Sequence, residues 1–245
     1  HLIQRLPYYT ADHFIAVTDY IYKRFIEVNR IPEQKCSVAQ NGIRPIDLDN
    51  VDENYAYQAF SIPVDRKIIV TTGRATYYKG IDFFIQCANE LVNTQGFEHL
   101  HFLYCGDGPD IKDFHSLAIE LNIGQNFTFA GKRDDIRKIL PSCHIGFHAA
   151  TGEVGYSLSI LEYMSAGLVT ITPDNPSTSL ATSDMSNGLL YKPRDIQSAT
   201  NAIIHALDKP LAQKIRENAI QDIINDYNID NTNKQLTSIL RPIFT

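Results

Sequence analysis

The chain has 245 residues, 44% hydrophobic and 20% charged, which suits a globular protein with room for one large domain or two small ones. Its formal net charge of −6 excludes a broad basic field for nucleic acid or an anionic membrane, so any anionic ligand must be met by a few local cations. Cys36, Cys87, Cys105 and Cys143 stand far apart in apolar settings, which argues against a disulfide frame or a zinc site and for reduced thiols in a cytosolic compartment.

In chain order, Phe14-Ile15-Ala16-Val17 predicts a short strand. Thr18 or Asp19 then caps a helix through Ile21, Phe25 and Val28 that ends before Pro32. Ser37-Val38-Ala39 and Asn41-Gly42 follow as a strand and a turn. Residues 44–66, with Pro45 and Pro63, predict a linker with one short helix from Glu53 to Phe60. The rhythm then becomes regular. Lys67 to Thr72 predicts a strand and Ile81 to Val92 an amphipathic helix; Leu100 to Cys105 and Ile111 to Leu121 repeat the unit. Phe127-Thr128-Phe129 with Ile136 to Leu140 makes a third unit. The apolar run His144 to Ala149, followed by a helix through Leu158, Leu161 and Met164, makes a fourth. Leu168 to Ile171 and Gly188 to Tyr191 supply later strands, and helices are expected over about 195–207, 210–227 and 231–240. Alternation of this kind specifies α/β architecture: a doubly wound parallel sheet covered on both faces, with its ligand crevice at the carboxyl ends of the strands.

Three turns at those strand ends carry candidate chemistry. Gly73-Arg74-Ala75-Thr76-Tyr77-Tyr78-Lys79-Gly80 sets a forked cation and a mobile one in a loop bracketed by glycine, where backbone must come close to a ligand, a pattern suited to clamping a diphosphate; two solvated surface cations are the plain alternative. Gly106-Asp107-Gly108-Pro109 and Gly131-Lys132-Arg133 recur at equivalent turns, and either serves as a turn without any ligand. The stretch Glu153 to Gly167 passes from a small-residue turn into a helix, whose first N–H groups favour a phosphate. It carries Glu153 and Glu162, hydrogen-bond acceptors for a hydroxyl-rich ligand, or else a solvated loop Glu and a helix-surface Glu. His144 and His148 bracket a buried strand and are expected to be satisfied core histidines. No Ser/His/Asp order, HExxH, Cys pair or P-loop pattern is present.

As an ordered set, Ile15-Ala16-Val17-Thr18 with Asn41-Gly42-Ile43, Gly73-Arg74 with Lys79-Gly80, Gly106-Asp107-Gly108-Pro109, Phe129-Ala130-Gly131, Gly155 to Gly167 and Asn187-Gly188-Leu189-Leu190 resemble the retaining GT-B glycosyltransferases of group 1, also called glycosyltransferase family 4. The resemblance implies two Rossmann-like domains facing across a cleft, this chain being chiefly the second. Residues 1–50 would be the last strand-helix-strand of an N-terminal acceptor domain plus linker, 51–229 the nucleotide-sugar-binding domain, and 230–245 a helix crossing back. The chain begins with His1, and a longer parent protein is expected.

The resemblance further implies a hexose passed with retention from a UDP- or GDP-linked donor to a glycan or glycolipid acceptor, without cofactor or metal. It suggests surface polysaccharide biosynthesis on the cytoplasmic side, with peripheral membrane association of the full-length protein. By position, Arg74, Lys79 and Glu153 would be catalytic, the first two on the diphosphate and Glu153 on the hexose. Glu162 would take the ribose hydroxyls, the backbone of Ser157 and Leu158 would cap the phosphates, and residues around Gly131, Lys132 and Arg133 would bracket the base, with Gly73 at the start of the diphosphate loop. Two departures from the family pattern stand out. Glu153 and Glu162 are separated by eight residues rather than seven, so strict spacing falls on Val154, and an insertion of one residue favours Glu153; the Gly usual after the aromatic is Ser157. A non-catalytic nucleotide-sugar-binding module and one half of a split enzyme, with an apolar face left for its partner near Phe14 to Phe25 and on the terminal helix, remain as alternatives.

Overall fold

In the computed structural model, which describes residues 10–150, 155–176 and 178–244, the alternating apolar runs become two parallel sheets. The first is small: β1 (Phe14–Ala16) pairs with β2 (Cys36–Val38) across α1 (Asp19–Glu27). Thr18 caps α1 as expected, its hydroxyl oxygen accepting the Ile21 N–H at 3.2 Å. After a linker that carries α2 (Tyr55–Phe60) come β3 (Lys67–Thr72), α3 (Ile81–Asn89), β4 (Leu100–Cys105), α4 (Ile111–Glu120), β5 (Phe127–Gly131), α5 (Ile136–Ile139) and β6 (Ile145–Phe147). α6 (Leu158–Ser165), β7 (Val169–Pro173), β8 (Leu189–Tyr191), α7 (Ile196–His205), α8 (Lys209–Asn225) and α9 (Ile229–Phe244) complete the described elements. The larger sheet has six strands in the order β5-β4-β3-β6-β7-β8, and every neighbouring pair is parallel. The doubly wound parallel sheet expected from the sequence is therefore present.

The strands are apolar on both sides because helices cover both. Ile69 faces a core with Phe83, Phe84, Phe102, Phe127 and Phe147, packed under α3, α4 and α7. Ile68 and Val70, one residue either way, face Tyr57, Ile139, Leu140 and Tyr163 under α2, α5 and α6. Rings supply much of the first core, with Phe84 edge-on to Phe102 and Phe127 at 5.4 and 5.7 Å between centroids, and each buried Phe contributes on the order of 1.5–3 kcal/mol. α8 seals a third cluster, Ile160, Leu161 and Met164 of α6 against Ala219 and Ile223.

Element ends differ from expectation where local chemistry is ambiguous. The helix expected to run to Val92 leaves α geometry after Asn89 and widens into a π turn over Glu90–Thr94. The linker helix starts at Tyr55 rather than Glu53. The terminal helix starts at Ile229 and passes through Pro242 instead of stopping at Leu240. A proline so near a helix end deletes one i→i−4 bond and leaves the preceding turns intact.

Gly146, at the middle of β6, has a strict steric role: a Cβ there would lie 2.3 Å from Cγ of Tyr163. Gly146→Ala must displace a fully buried ring. It should cost about 1–3 kcal/mol, seen in thermal unfolding as a fall of about 2–4 °C per kcal/mol.

Candidate functional site

The strand order reverses between β3 and β6. At such a switch point the crossover helices leave to opposite faces and a crevice opens beyond the carboxyl ends. Here β3 outruns its neighbour: the β3–β6 ladder ends at Val70 and Gly146, while β3 continues to Thr72. The Thr72 N–H donates instead to the hydroxyl oxygen of Tyr163 at 2.7 Å, and the two hydroxyls lie 2.9 Å apart.

The loop after β3 delivers Gly73, Arg74 and Lys79 to this edge. Arg74 is exposed and Lys79 half-buried. A Cβ on Gly73 would stand 3.9 Å from Cδ of Lys79, so the lysine stem folds back across the strand end. Its ammonium sits 5.5 Å from the centre of the Tyr78 ring. The short turn that carries it, Tyr77–Lys79, is held from two sides. Asp110 accepts the Tyr77 N–H at 3.0 Å, and Arg194 donates to the Tyr77 carbonyl at 3.1 Å and to Asp82 at 2.9 Å. Neither Asp110 nor Arg194 was singled out from sequence. Arg194 lies 112 residues from Asp82, and no local spacing signals such a contact.

The glycines of these turns serve backbone packing. A Cβ on Gly106 would stand 1.9 Å from the Gly73 carbonyl oxygen, and one on Gly108 would stand 2.7 Å from that of Ala75. The two turns interlock, with the Ala75 N–H donating to Asp107 O at 2.9 Å and the Asp110 N–H to Ala75 O at 3.1 Å. Gly80, at φ +73°, would bring a Cβ within 2.4 Å of the Ala149 carbonyl oxygen. The close approach read from sequence as one to a ligand is thus, at Gly80, an approach to the end of β6. It draws the Arg74–Lys79 loop against the switch point.

From the other side comes α6. Ser157 is its N-cap residue, in extended conformation, and its own side chain makes no capping bond to the first N–H groups. Leu158 is 48% exposed there, unusual for an apolar residue that begins a buried helix. The turn before it lies beside the small sheet: a Cβ on Gly155, at φ +97°, would stand 3.5 Å from Cγ2 of Thr18, and the Tyr156 hydroxyl donates to Asn41 O at 2.9 Å. Glu162 is half-buried on the same helix. Burial raises its pKa above the ordinary carboxylate value, and the nearby charge of Arg137 offsets part of that rise. Glu153 and Val154 lie outside the described residues.

The third turn brings Gly131, Lys132 and Arg133 to the same edge, next to the end of β4, since Gly131 is in register with Cys105. Gly131 has φ +70° and open space around it, and Lys132 is exposed. Arg133 is engaged: its guanidinium forks onto Asp135 at 2.8 and 2.5 Å and packs 5.4 Å from the centre of the Phe60 ring. Tyr55 donates to the same carboxylate at 2.6 Å. The Arg133 fork and then the Tyr55 bond hold Asp135 far below the ordinary carboxylate range. Arg133 therefore fixes the turn, leaving its own backbone and Lys132 toward the crevice. His148 is buried and its carbonyl accepts the Tyr191 hydroxyl at 3.0 Å. His144 lies at the opposite, amino end of β6, away from this edge.

Sheet order, switch-point crevice and converging glycine turns define a doubly wound ligand-binding domain. The sequence model of the family described as Glycosyl transferases group 1 matches residues 55–222, most of the chain, and the chain belongs to that family. It is 23% identical to the uncharacterized glycosyltransferase MJ1607 of Methanocaldococcus jannaschii, over 98% of this chain and 63% of that protein. It is 24% identical to the UDP-Gal:alpha-D-GlcNAc-diphosphoundecaprenol alpha-1,3-galactosyltransferase of Escherichia coli, over 66% of this chain and 42% of that protein. Among solved structures, Anabaena HepE in complex with UDP and glucose superposes with a TM-score of 0.87 at 19% identity, over 98% of this chain and 66% of that one. WaaG, a glycosyltransferase involved in lipopolysaccharide biosynthesis, superposes at 0.80 and 19%, over 92% and 62%. The chain thus spans about 63% of the archaeal relative's length. The fold is the GT-B-like one of these structures, and among the described residues no helix is long and apolar enough to cross a membrane.

Glu162 gives a stability test with a definite sign. A carboxylate whose folded pKa is raised is stabilising below its unfolded pKa, and that contribution is lost as pH rises through the folded value. Glu162→Gln should therefore unfold at the same or a higher temperature than wild type at pH 7, and lose the advantage below about pH 4. A fall at neutral pH that disappears at low pH would mean that the carboxylate stabilises the free protein.

Proposed function

We propose that this chain is the donor-binding half of a retaining hexosyltransferase that uses a UDP- or GDP-linked sugar. The observation that carries the reading is the convergence on one switch point of two cations, Arg74 and Lys79, with the uncapped start of α6. Positive charge and N–H groups from both sides suit a diphosphate. In the reaction, the bond between the sugar's anomeric carbon and the diphosphate oxygen breaks, and its electron pair stays on the diphosphate. Arg74, Lys79 and the helix dipole stabilise that growing charge, while an acceptor hydroxyl forms the new bond on the same face and passes its proton to the departing diphosphate oxygen. Lys132, Gly131 and the backbone of Arg133 bracket the base, Glu162 takes the ribose hydroxyls, the backbone of Ser157 and Leu158 caps the phosphates, and Glu153 contacts the hexose.

Names and bound ligands of similar proteins support this choice of substrates. HepE was solved with UDP and glucose, the E. coli relative is named for a diphosphoundecaprenol-linked acceptor, and WaaG for lipopolysaccharide biosynthesis. On this reading the acceptor is a glycan or glycolipid met by a further N-terminal domain, at the cytoplasmic face of a membrane. Residues 51–229 are the donor domain, with 1–50 and 230–245 belonging toward the acceptor side.

Calorimetry with UDP and GDP tests the clamp. Arg74→Ala and Lys79→Ala should each remove a charge-assisted contact of on the order of 1.5–3 kcal/mol, roughly tenfold or more in affinity, in EDTA as in magnesium. Unchanged affinity in both variants would move the diphosphate elsewhere.

The spacing of Glu153 and Glu162 keeps a non-catalytic nucleotide-sugar module in view, and one substitution separates the readings. Glu153→Gln should weaken the intact nucleotide sugar while leaving the bare nucleoside diphosphate unchanged, because a carboxylate accepts sugar hydroxyls better than an amide does. Equal losses for both ligands, or none, would assign the sugar contact to another residue.

A further inference from the structure

A cavity lies beyond the amino ends of β3 and β6, at the opposite end of the strands from the crevice. Its volume is about 470 Å³, and Lys67, His144 and Arg216 line it together with Glu53, Asn54 and the apolar side chains of Val64 and Ile220. None of these belongs to the donor machinery. We propose that this cavity binds a small, water-soluble phosphate monoester, its phosphate held by Lys67, His144 and Arg216 and its hydroxyl-bearing body by Glu53 and Asn54.

Donors outnumber acceptors around His144. A neutral imidazole has one acceptor nitrogen, yet both nitrogens of His144 face donors: Nδ1 lies 3.2 Å from the Ile68 nitrogen. Nε2 lies 3.0 Å from the Lys67 ammonium. Whichever tautomer the ring adopts, the Ile68 N–H or the Lys67 ammonium is left without an acceptor there, a deficit that an anion beside Lys67 would relieve. Arg216 adds a third donor. One terminal nitrogen of its guanidinium donates to the His144 carbonyl at 3.1 Å, while its Nε is buried with no hydrogen-bond partner. An unsatisfied buried donor on a charged group is costly, and an oxyanion supplies what it lacks. Among the described residues neither Lys67 nor Arg216 forms an ion pair. Glu53, the carboxylate on the wall, is exposed and, among the described residues, forms no ion pair with either cation.

The ring reports the same field. Burial first, then the charges of Lys67 and Arg216, lower the His144 pKa to about 4. A dianion seated among these groups would reverse part of that shift. The volume exceeds what a bare phosphate fills, and the apolar wall with two hydrogen-bonding side chains suits the carbon body of a monoester.

The test is a titration of the His144 ring resonances with inorganic phosphate and with glycerol 3-phosphate, alongside calorimetry with UDP. Expected are a saturable shift with a Kd for glycerol 3-phosphate of about 1 mM or tighter, a rise of the ring pKa on saturation, and weaker binding of inorganic phosphate. Lys67→Gln should weaken glycerol 3-phosphate roughly tenfold while leaving UDP affinity unchanged, and Lys67→Arg, which keeps the charge, should bind within a few-fold of wild type. No saturable shift, an unchanged affinity in Lys67→Gln, or binding only to vesicles that contain phosphatidic acid would each overturn the proposal. UDP binding is read in the same samples, so failure here is distinguishable from failure of the donor site.

Discussion

The arrangement at the switch point depends on one side chain, Tyr163. Its ring occupies the space that Gly146 leaves open in β6, and its hydroxyl takes the Thr72 N–H where β3 runs on without a strand partner on that side. A phenol thereby does the work of a missing strand residue. The consequence is geometric, because Tyr163 follows Glu162 on α6 and Thr72 precedes Gly73 and Arg74 on the β3 loop. Both walls of the crevice are referenced to one buried hydrogen bond, in surroundings where an unpaired N–H would cost about 1–3 kcal/mol. Burial holds the Tyr163 hydroxyl protonated well above neutral pH, so the tie does not change through the physiological range.

Glu162 shows the opposite economy. It sits one residue away on the same helix, half-buried, and burial makes its charged form unfavourable. The helix therefore carries a structural residue and, beside it, one whose charge works against the free fold.

Much of this was legible in the sequence. β3 and β4 have the bounds expected, Lys67–Thr72 and Leu100–Cys105, because each is a continuous apolar run closed by glycine, and their parallel pairing follows from the helices between them. The converging turns were also legible, as was the cap at Thr18. What the turns contain was less so. Gly80 was read as making room for a ligand, yet the group it admits is the Ala149 carbonyl, 69 positions on in the chain (149 − 80). Arg133 reads as a free cation from its neighbours Lys132 and Gly131, but Asp135, two residues away, engages its fork, and that choice depends on Tyr55 and Phe60 arriving from the linker. Arg194 was invisible for the same reason. Local pattern specifies where a turn is, whereas tertiary contacts decide which of its side chains remain available.

The contacts of the terminal helix imply an order of assembly. Gln235 of α9 accepts the Gln40 N–H across 195 residues, and Thr232 donates to the Gln40 carbonyl across 192. Ile43 and Asn228 bridge beside them. These bonds close a loop that contains the entire six-stranded sheet, so in a folding chain they meet only after the intervening strands have drawn the ends together. Closure of so long a loop carries an entropic cost that a handful of backbone and amide bonds does not repay until the sheet has formed. The small sheet and the terminal helix thus close a seam between two chain ends that the six-stranded sheet holds together.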